Sequence, residues 1–391
     1  MEKDIITRID EYFHVNEMSQ KDFAEIINMP ETTFSNWLKK EQAISIYSLA
    51  KITATISPLN HDVQEQDIIH HLQKHTRESI NLKIAFLLAH LNGYTAVIDY
   101  IIDVCKNKTE MELQKCANIF QLYRDRLSGA EKLCDIFVKI EKVSPFDNKK
   151  HYHIALFCDI LSMLILTDLG KFDLIQPYQK RVQTNLSRVK VKNIKQLYNF
   201  WIDSILGYGL LRKDDIFSFK EIYVGLGEFQ DLSLFPVMKC ILDSRWGESQ
   251  LIDNPKYAIR ELENSCERLL IMGETTKYQT VLNTLNFLRV VMWIDIRKIR
   301  VEDLHPAEYA LYLIFLGELD MANQVLDRLE LKNGGLSPIQ GVYRGMAKQN
   351  GSIIEGYIDL MKSKNDFYYV RVIKKVLDIY QKHNGMEFVN N

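Results

Sequence analysis

Apolar residues recur at every third and fourth position along most of the chain, which is the spacing of amphipathic α-helices. The stretches 82–91, 154–169 and 309–316 show this spacing most clearly. Strand-like alternation is scarce, and 8 prolines and 17 glycines among 391 residues leave little room for turn-rich β-architecture. The pattern therefore predicts an all-α fold.

From about residue 65 the chain reads as helix pairs separated by short corners, at residues 91–94, 169–172, 316–319 and 349–352. The last two corners lie about one tetratricopeptide period apart. Around the third corner, Ala310, Gly317 and Ala322 are small where two helices would meet. Such hairpins cannot bury their apolar faces alone, so they stack into a solenoid with a concave, ligand-holding surface. We expect a tetratricopeptide-like, right-handed helical solenoid over residues 65–365.

The last predicted helix, within residues 366–391, is more apolar than a solvated cap needs. Its apolar residues are Tyr368, Tyr369, Val372, Ile373, Val376, Leu377 and Tyr380. This face indicates a C-terminal capping and dimerisation helix. Packing against the neighbouring repeat is the alternative.

Residues 19–38 read as two short helices joined by a tight turn. Ser19 can cap the first helix, whose apolar residues share one face: Phe23, Ala24, Ile26 and Ile27. Asn28 tolerates the left-handed backbone of the turn, Met29 fills the corner, and Pro30 suits a helix start because it needs no amide donor there. The segment therefore indicates a helix-turn-helix, with an ordinary helical hairpin as the alternative.

The second of these helices turns Phe34, Trp37 and Leu38 inward and presents a polar face, made of Glu31, Thr32, Ser35, Asn36 and Lys39. Side chains of this kind reach base edges and phosphates in a major groove. The segment resembles the DNA-binding domain of Cro/repressor-type regulators, with matching residues at Gln20, Ala24, Thr33, Ser35 and Trp37. We expect a DNA-binding head over residues 1–58 that uses Gln20, Glu31, Thr32, Thr33, Ser35, Asn36, Lys39 and Lys40.

The charge of this head is unusual for a DNA-binding domain. Residues 1–57 hold more Asp and Glu than Lys and Arg, so the usual basic footprint is missing at the level of the domain. Lys39 and Lys40, together with Lys51, form the expected local positive patch. A solvated helix end is the alternative for that lysine pair. Affinity would then depend on a homodimer that places two recognition helices on the DNA.

Composition narrows the class of protein further. The formal net charge of −2 says little about partners. No run of eighteen apolar residues occurs, and residues 1–4 are charged and lack a signal-peptide core, so we expect a soluble, cytoplasmic protein without membrane contact. The cysteines stand singly and predict buried free thiols rather than a disulfide framework or a zinc cluster: Cys105, Cys116, Cys134, Cys158, Cys240 and Cys266.

Motifs that carry catalytic chemistry are missing from the sequence. It has no Gly-rich phosphate loop, no Gly-x-Ser-x-Gly elbow and no His-Glu-x-x-His helix, so we do not expect an enzyme or a cofactor. Two groups suggest a metal, His70-His71 with His75 and His151-x-His153 with Cys158. Neither supplies a full ligand set at a known zinc spacing, so no metal site is predicted.

A DNA-reading head on a tetratricopeptide-like body resembles the peptide-sensing regulators of Gram-positive bacteria and their phages, most closely the arbitrium receptor (AimR) branch. The head carries this resemblance together with segments whose order and spacing match. These are residues 118–129, Phe287-Leu288 followed by Trp293, residues 308–310, residues 343–345 and residues 363–369.

The resemblance implies a function. A dimer without signal binds a promoter operator and activates a gene that promotes lysis, and a short peptide binds the solenoid and silences it. The peptide of this family carries a basic residue, and the two acidic positions that receive it match Glu308 and Asp366. A guanidinium held by two carboxylates makes directional, charge-assisted hydrogen bonds. Both acids also stand at helix starts, which is the structural alternative.

Three further peptide-binding candidates rest on local chemistry alone. Asn199 and Asp203 lie one turn apart on one helix, and Arg245 lies beside Trp246. Amides bind an extended peptide backbone and arginine binds a carboxylate. A structural role is the alternative for each. Two other functions stay open for the chain: a peptide-sensing regulator of a bacterial host regulon, and a protein-binding scaffold without DNA binding.

Overall fold

The computed structural model describes residues 4–40, 42–75, 79–144 and 151–384. Within these ranges the chain forms twenty-one α-helices and four short 3-10 helices, with no β-strand among them. The predicted fold class, an all-α chain with a helix-turn-helix head and a tetratricopeptide-like solenoid, is confirmed. No helix of the described ranges is both long and apolar enough to span a bilayer.

The head contains four helices, which are α1 (Ile5–Val15), α2 (Gln20–Ile26), α3 (Glu31–Leu38) and α4 (Ile46–Ile56). Phe23 lies at the centre of their core, with its ring centroid 5.2 Å from those of Phe13 and Phe34. Ile26 was predicted to share this buried face, but 56% of it is exposed. The prediction was wrong because Ile26 precedes the buried Ile27 by one position, which is about 100° around the helix.

The first half of the body continues from the head. Its helices are α5 (His61–His75), α6 (Ser79–Asn92), α7 (Thr95–Lys106), α8 (Met111–Ser128), α9 (Leu133–Val143), α10 (Tyr152–Asp168), α11 (Ile175–Leu186), α12 (Lys192–Arg212) and α13 (Ile216–Gly227). One apolar cluster runs from Ile9 in the head to Leu242 in the body, so the two parts share a core. The linker between α4 and α5, residues 57–60, lies at the end of the predicted head, although the division into domains remains a prediction.

The second half has its own apolar cluster, from Leu211 to Tyr380. Its helices are α14 (Pro236–Ser249), α15 (Pro255–Ile271), α16 (Thr275–Met292), α17 (Pro306–Phe315), α18 (Leu319–Asn333), α19 (Pro338–Ala347), α20 (Gly351–Ser363) and α21 (Phe367–Asn384). The four 3-10 helices are Phe172–Leu174, Leu232–Leu234, Ile296–Lys298 and Val301–Asp303.

The body is built in two layers of helices. Helices α8, α10, α12, α14 and α16 contact one another in sequence, and α6 contacts α12 and α14. We call these six helices the inner layer. Most of the helices between them, such as α11, α13 and α15, chiefly contact their partners in the hairpins. This arrangement is that of a solenoid, in which stacked hairpins bury one continuous core.

The hairpin α17–α18 has the small residues that the sequence placed at a helix contact. Ala310 and Ala322 are fully buried. Gly317 adopts φ +80° in the corner between α17 and α18, a left-handed conformation that glycine takes without steric cost. In the next hairpin the Asn350 side chain accepts a hydrogen bond from the Ile353 amide at 3.1 Å and so caps α20.

Helix α21 packs inside its own chain. Tyr368, Val372, Ile373, Val376 and Tyr380 are at most 1% exposed, and α21 contacts α12, α16, α17, α19 and α20. Packing on its own neighbours therefore accounts for the apolar residues that suggested a dimer contact. A role of this helix in dimerisation remains a prediction.

All six cysteines are free, and five of them are buried as predicted. Cys134 differs because it lies on the exposed side of α9. The thiols therefore act mainly as small apolar core residues.

We predict opposite effects for two alanine substitutions in the hairpin α19–α20. A Cβ atom at Gly345 would lie 2.6 Å from Cγ1 and 3.0 Å from the backbone nitrogen of Ile354, whereas a Cβ atom at Gly356 would meet open space. Gly345→Ala should lower the free energy of unfolding by about 1–3 kcal/mol through overpacking. Gly356→Ala should raise it by about 0.5–1 kcal/mol through helix propensity. Urea denaturation of both variants measures this, and equal effects would contradict the close contact at Gly345.

Candidate functional site

The turn between α2 and α3 has the geometry that its sequence predicts. The Ser19 hydroxyl accepts a hydrogen bond from the Asp22 amide at 3.1 Å, and the Asp22 carboxylate accepts one from the Ser19 amide at 3.4 Å. This capping box fixes the start of α2. Asn28 adopts φ +49°, which confirms the left-handed turn. The Met29 amide donates to the Ala24 carbonyl at 2.9 Å and closes the corner.

The predicted DNA-contacting residues lie on and beside α3. Glu31, Thr32, Lys39, Lys40 and Gln20 are exposed, and Ser35 and Asn36 are half-buried. Thr33 is also half-buried and stands two positions from Ser35, so the two do not share a helix face. Thr33 instead neighbours Asn36, which stands three positions further on. Seven of the eight predicted residues thus lie on α3 or directly after it, and Gln20 lies at the start of α2. Their contact with DNA remains a prediction.

Lys51 does not belong to the positive patch that the sequence suggested. Its ammonium lies 2.7 Å from the Asp231 carboxylate, and its side chain is only 13% exposed. The Tyr47 hydroxyl donates to the same carboxylate at 2.6 Å. Both residues come from α4, and Asp231 belongs to the loop between α13 and α14. The pair therefore anchors the head to the body.

A group of charged side chains lies in the inner layer and at the start of α21. It consists of Arg126, Asp168, Arg212, Arg245, Glu248, Lys277 and Asp366, and we call it the interior charge cluster. They come from the ends of α8, α10 and α12, from α14, from the start of α16 and from the residue before α21. Two of the seven, Arg245 and Asp366, were predicted from sequence.

Four members of the cluster form two bidentate ion pairs. Arg126 donates to both Asp168 oxygens at 2.7 and 2.9 Å. Arg212 donates to both Asp366 oxygens, through Nε at 2.9 Å and through Nη2. The Arg212 guanidinium also lies 4.1 Å from the centroid of the Tyr369 ring. Bidentate geometry and an aromatic neighbour are what arginine requires in a partly buried ion pair.

Arg245 and Lys277 are cations without such a partner. Arg245 donates to the Ser204 carbonyl at 2.9 Å and lies over the Tyr208 ring. No carboxylate of the described residues lies within 4.0 Å of either cation. Burial lowers the pKa of the Arg245 guanidinium. Burial, with Arg126 and Arg245 nearby, also lowers the pKa of the Lys277 ammonium. An anionic ligand would stabilise both charges.

Glu248 is the third acidic member of the cluster and lies between two arginines. It is 7% exposed. Burial raises the pKa of its carboxyl group, while Arg212 and Arg245 offset part of that increase. Its backbone carbonyl accepts a hydrogen bond from the Tyr368 hydroxyl at 2.7 Å, which ties α14 to α21.

Glu308, the other predicted acidic residue, lies at the start of α17. Its Oε2 atom lies 3.0 Å from Nδ1 of His305, and the hydrogen bond between the two raises the pKa of the imidazole. The neighbouring Tyr343 hydroxyl is buried and has no hydrogen-bond partner among the described residues. Glu308 and Tyr369 both act on this hydroxyl electrostatically, so Tyr343 lies between Glu308 and the cluster.

The structure does not bring Asn199 and Asp203 into the cluster. Asn199 lies nine residues before Tyr208, and Asp203 lies nine residues before Arg212. Nine residues make two and a half helical turns, which is half a turn away from the cluster. They therefore face the opposite side of α12. Both are half-buried, and burial raises the pKa of the Asp203 carboxyl group. Their contact with a peptide remains a prediction.

Sequence reasoning missed the other five members of the cluster, which are Arg126, Asp168, Arg212, Glu248 and Lys277. Their elements are distant in sequence, so no local pattern connects them. A charged residue at the end of a mostly apolar helix, as Arg212 is in α12, was the available signal. The described residues contain no group of three or more His, Cys, Asp or Glu that could hold a metal ion.

The fold places the chain in the class of proteins that join a helix-turn-helix head to a helical solenoid. Charged side chains are buried in the inner layer of this solenoid. The chain belongs to the AimR transcriptional regulator-like family, which matches residues 64–378. This bears out the resemblance to the arbitrium receptors, and the family is one of transcriptional regulators rather than an enzyme class.

Individual proteins agree with this membership. The chain is 26% identical over 241 residues to an uncharacterized protein of Bacillus anthracis. This alignment covers 61% of this chain and 88% of that protein. A structure of phAimR with ligand superposes with a TM-score of 0.71 at 14% identity, covering 86% of this chain and 98% of that one. A structure of selenomethionine phAimR gives 0.65 at 14% identity and covers 98% of both chains. These structural matches support the fold, including the head.

We predict that Asp366→Asn destabilises the chain more than a matched control. The substitution leaves the Arg212 guanidinium, whose side chain is 14% exposed, without a full charge partner. The free energy of unfolding should fall by about 1.5–3 kcal/mol, the range for hydrogen bonds to charged groups. Asp378→Asn, at an exposed position of α21, should change the free energy of unfolding little. Chemical denaturation of both variants measures the difference, and equal stabilities would show that the ion pair contributes nothing.

Proposed function

We propose that the chain is a peptide-controlled, DNA-binding transcription regulator that acts in the cytoplasm of a bacterial host cell. Without signal, a homodimer binds operator DNA through α3 and activates a gene that promotes lysis. A short signal peptide binds the inner layer and silences the regulator, which favours lysogeny. The observation that carries the proposal is the pair of cations, Arg245 and Lys277, which lack carboxylate partners within the inner layer.

The C-terminal carboxylate of a peptide suits these two cations. It is an anion that can accept hydrogen bonds from an arginine and a lysine at once. The cluster is half-buried, so water screens each charged hydrogen bond there less than it does at an exposed surface. The aromatic rings of Tyr208 and Tyr369 offer apolar surface beside it.

Glu308 and Asp366 differ in how available they are to a basic residue of the same peptide. Asp366 is already occupied by Arg212, so a peptide cation must compete with that arginine. Glu308 is paired with a half-exposed histidine. Glu308 is therefore the more available carboxylate, and Asp366 would bind a peptide cation only if Arg212 shifts.

The inner layer is physically connected to the linker of the head. Lys277 stands three residues after Glu274, whose carboxylate lies 3.1 Å from Nδ1 of His61 at the start of α5. A cavity of about 710 Å³ lies at this junction and is lined by Pro58, Asn60 and Glu274. A peptide bound at Lys277 would act next to the contact that holds the linker. Stabilising one position of the linker shifts the population of head orientations, and thereby the spacing of two recognition helices.

The acidic excess of the head favours a second candidate, a protein-binding scaffold that does not bind DNA. An electrophoretic mobility shift on DNA from around the gene separates the two. The regulator should bind a fragment at low salt, and a peptide from the C-terminus of the next small open reading frame should abolish the shift. Absence of binding in both conditions would favour the scaffold.

We predict that Lys277→Gln weakens peptide binding about 10- to 100-fold, the equivalent of 1.5–3 kcal/mol for a charged hydrogen bond. Isothermal titration calorimetry with a synthetic peptide measures the affinity. Lys256→Gln, at an exposed position of α15, should leave it unchanged.

A C-terminally amidated peptide tests whether Lys277 binds the carboxylate. Amidation should weaken binding to the wild-type protein at least as much as Lys277→Gln does. It should weaken binding to Lys277→Gln by a smaller factor than binding to the wild type, because only the Arg245 contact is then left to lose. Fully additive losses would show that Lys277 binds another part of the peptide or acts indirectly.

We also predict that replacing Thr32, Ser35 and Asn36 together by alanine removes sequence-specific binding. Contacts to base edges contribute about 1–3 kcal/mol of discrimination each, whereas phosphate contacts are independent of sequence. Specific and unrelated duplexes should therefore bind the triple variant with similar affinity in a competition assay. Retained preference for the operator would refute the assignment of α3 as the recognition helix.

A further inference from the structure

A second surface lies next to the recognition helix and is not part of it. A cavity of about 650 Å³ separates the C-terminal end of α3 from α5, and Asp4, Lys40, His70 and Lys74 are among its lining residues. His70 and Lys74 are one turn apart on α5 and both are exposed. Lys40 stands two residues after the end of α3 and is also exposed. The two helices thus present their basic residues around one opening.

Helix α5 is held to the head, although the sequence assigned most of it to the body. Arg8 of α1 forms an ion pair with Asp67 of α5 across the cavity. His71 is buried against the head, and a hydrogen bond links its ring to the backbone of Ile44. Burial, with His75 close by, lowers the pKa of His71 to about 4, so this imidazole is neutral at physiological pH. The basic end of α5 therefore keeps a fixed position relative to α3.

The balance of charge around the opening is positive. Arg8 and Asp67 neutralise each other. Lys40 and Lys74 have no carboxylate within 4.0 Å in the part of the chain that the structure describes. Among the described residues that line the cavity, Asp4, directly before α1, is the remaining acid. This surface is basic in spite of the acidic excess of residues 1–57.

The position of this surface matches that of a DNA backbone. The major groove is about 12 Å wide, and a helix with its side chains is about 10–12 Å across. Groups beyond the end of a helix seated in the groove therefore meet the phosphates that border it. Positively charged side chains at that place neutralise phosphates and release counterions.

We propose that Lys40, His70 and Lys74 form a phosphate-binding surface that contacts the backbone of the same duplex that α3 reads. It rests on the proposed DNA-binding function and adds a contact from outside the helix-turn-helix. The surface supplies the basic footprint that the composition of the head lacks. It contributes affinity without sequence preference, because phosphates carry no direct sequence information.

The test is the salt dependence of DNA binding by Lys74→Gln. Fluorescence anisotropy measures the affinity for an upstream fragment and for an unrelated duplex between about 50 and 200 mM salt. The plot of log K against log salt concentration has a negative slope, and the magnitude of this slope should fall by about 0.9 for the lost phosphate contact. The loss of affinity should be equal for both duplexes. Lys74→Glu should lower the affinity further, because it adds repulsion.

Lys220→Gln is the matched control, since Lys220 is an exposed lysine on α13 of the body. It should leave affinity and slope at wild-type values. Identical behaviour of Lys74→Gln and Lys220→Gln would overturn the surface while leaving the proposed function intact. A wild-type protein that binds neither duplex would overturn both. Circular dichroism confirms that each variant retains the helical fold.

Discussion

The cost of removing charged groups from water is the constraint on which the body depends. The inner layer holds four cations and three carboxylic acids in a half-buried space, and each must find compensation there. Two ion pairs compensate four of these groups, Arg126 with Asp168 and Arg212 with Asp366. Arg245 and Lys277 are left with compensation that is only partial. The interior is therefore stable enough to fold, while two of its cations have no carboxylate within 4.0 Å among the described residues.

The head is joined to the body by a small number of polar contacts. Asp231 receives both Tyr47 and Lys51 of α4, while His61 and Glu274 join the linker to the start of α16. The first contact is made from within α4 and the second from the first residue of α5, so they lie on either side of the short segment that separates the two helices. The head is thus held by a few polar contacts in addition to a shared apolar core.

Local features of the fold could be predicted from the sequence, since the residues that cause them are neighbours. Ser19 and Asn28 define the turn between α2 and α3 through contacts within a few positions. The partners of Lys51 and Arg212 lie about 150 to 180 residues away, and no pattern along the chain announces them. The sequence therefore named Arg245 and Asp366 from their chemistry but did not reveal that Arg212 already occupies Asp366. Lys277 was missed because a single lysine at the start of a helix is unremarkable.

Helix α21 gives the body a property that an open array of repeats lacks. It reaches back to α12, where Arg212 pairs with Asp366 and Asp214 pairs with Arg371. In an open solenoid each repeat contacts only its neighbours, and stability accumulates one repeat at a time. Here the middle of the body is completed by the last helix of the described chain. During synthesis, more than a hundred and fifty residues must be added after Arg212 before its acidic partner leaves the ribosome.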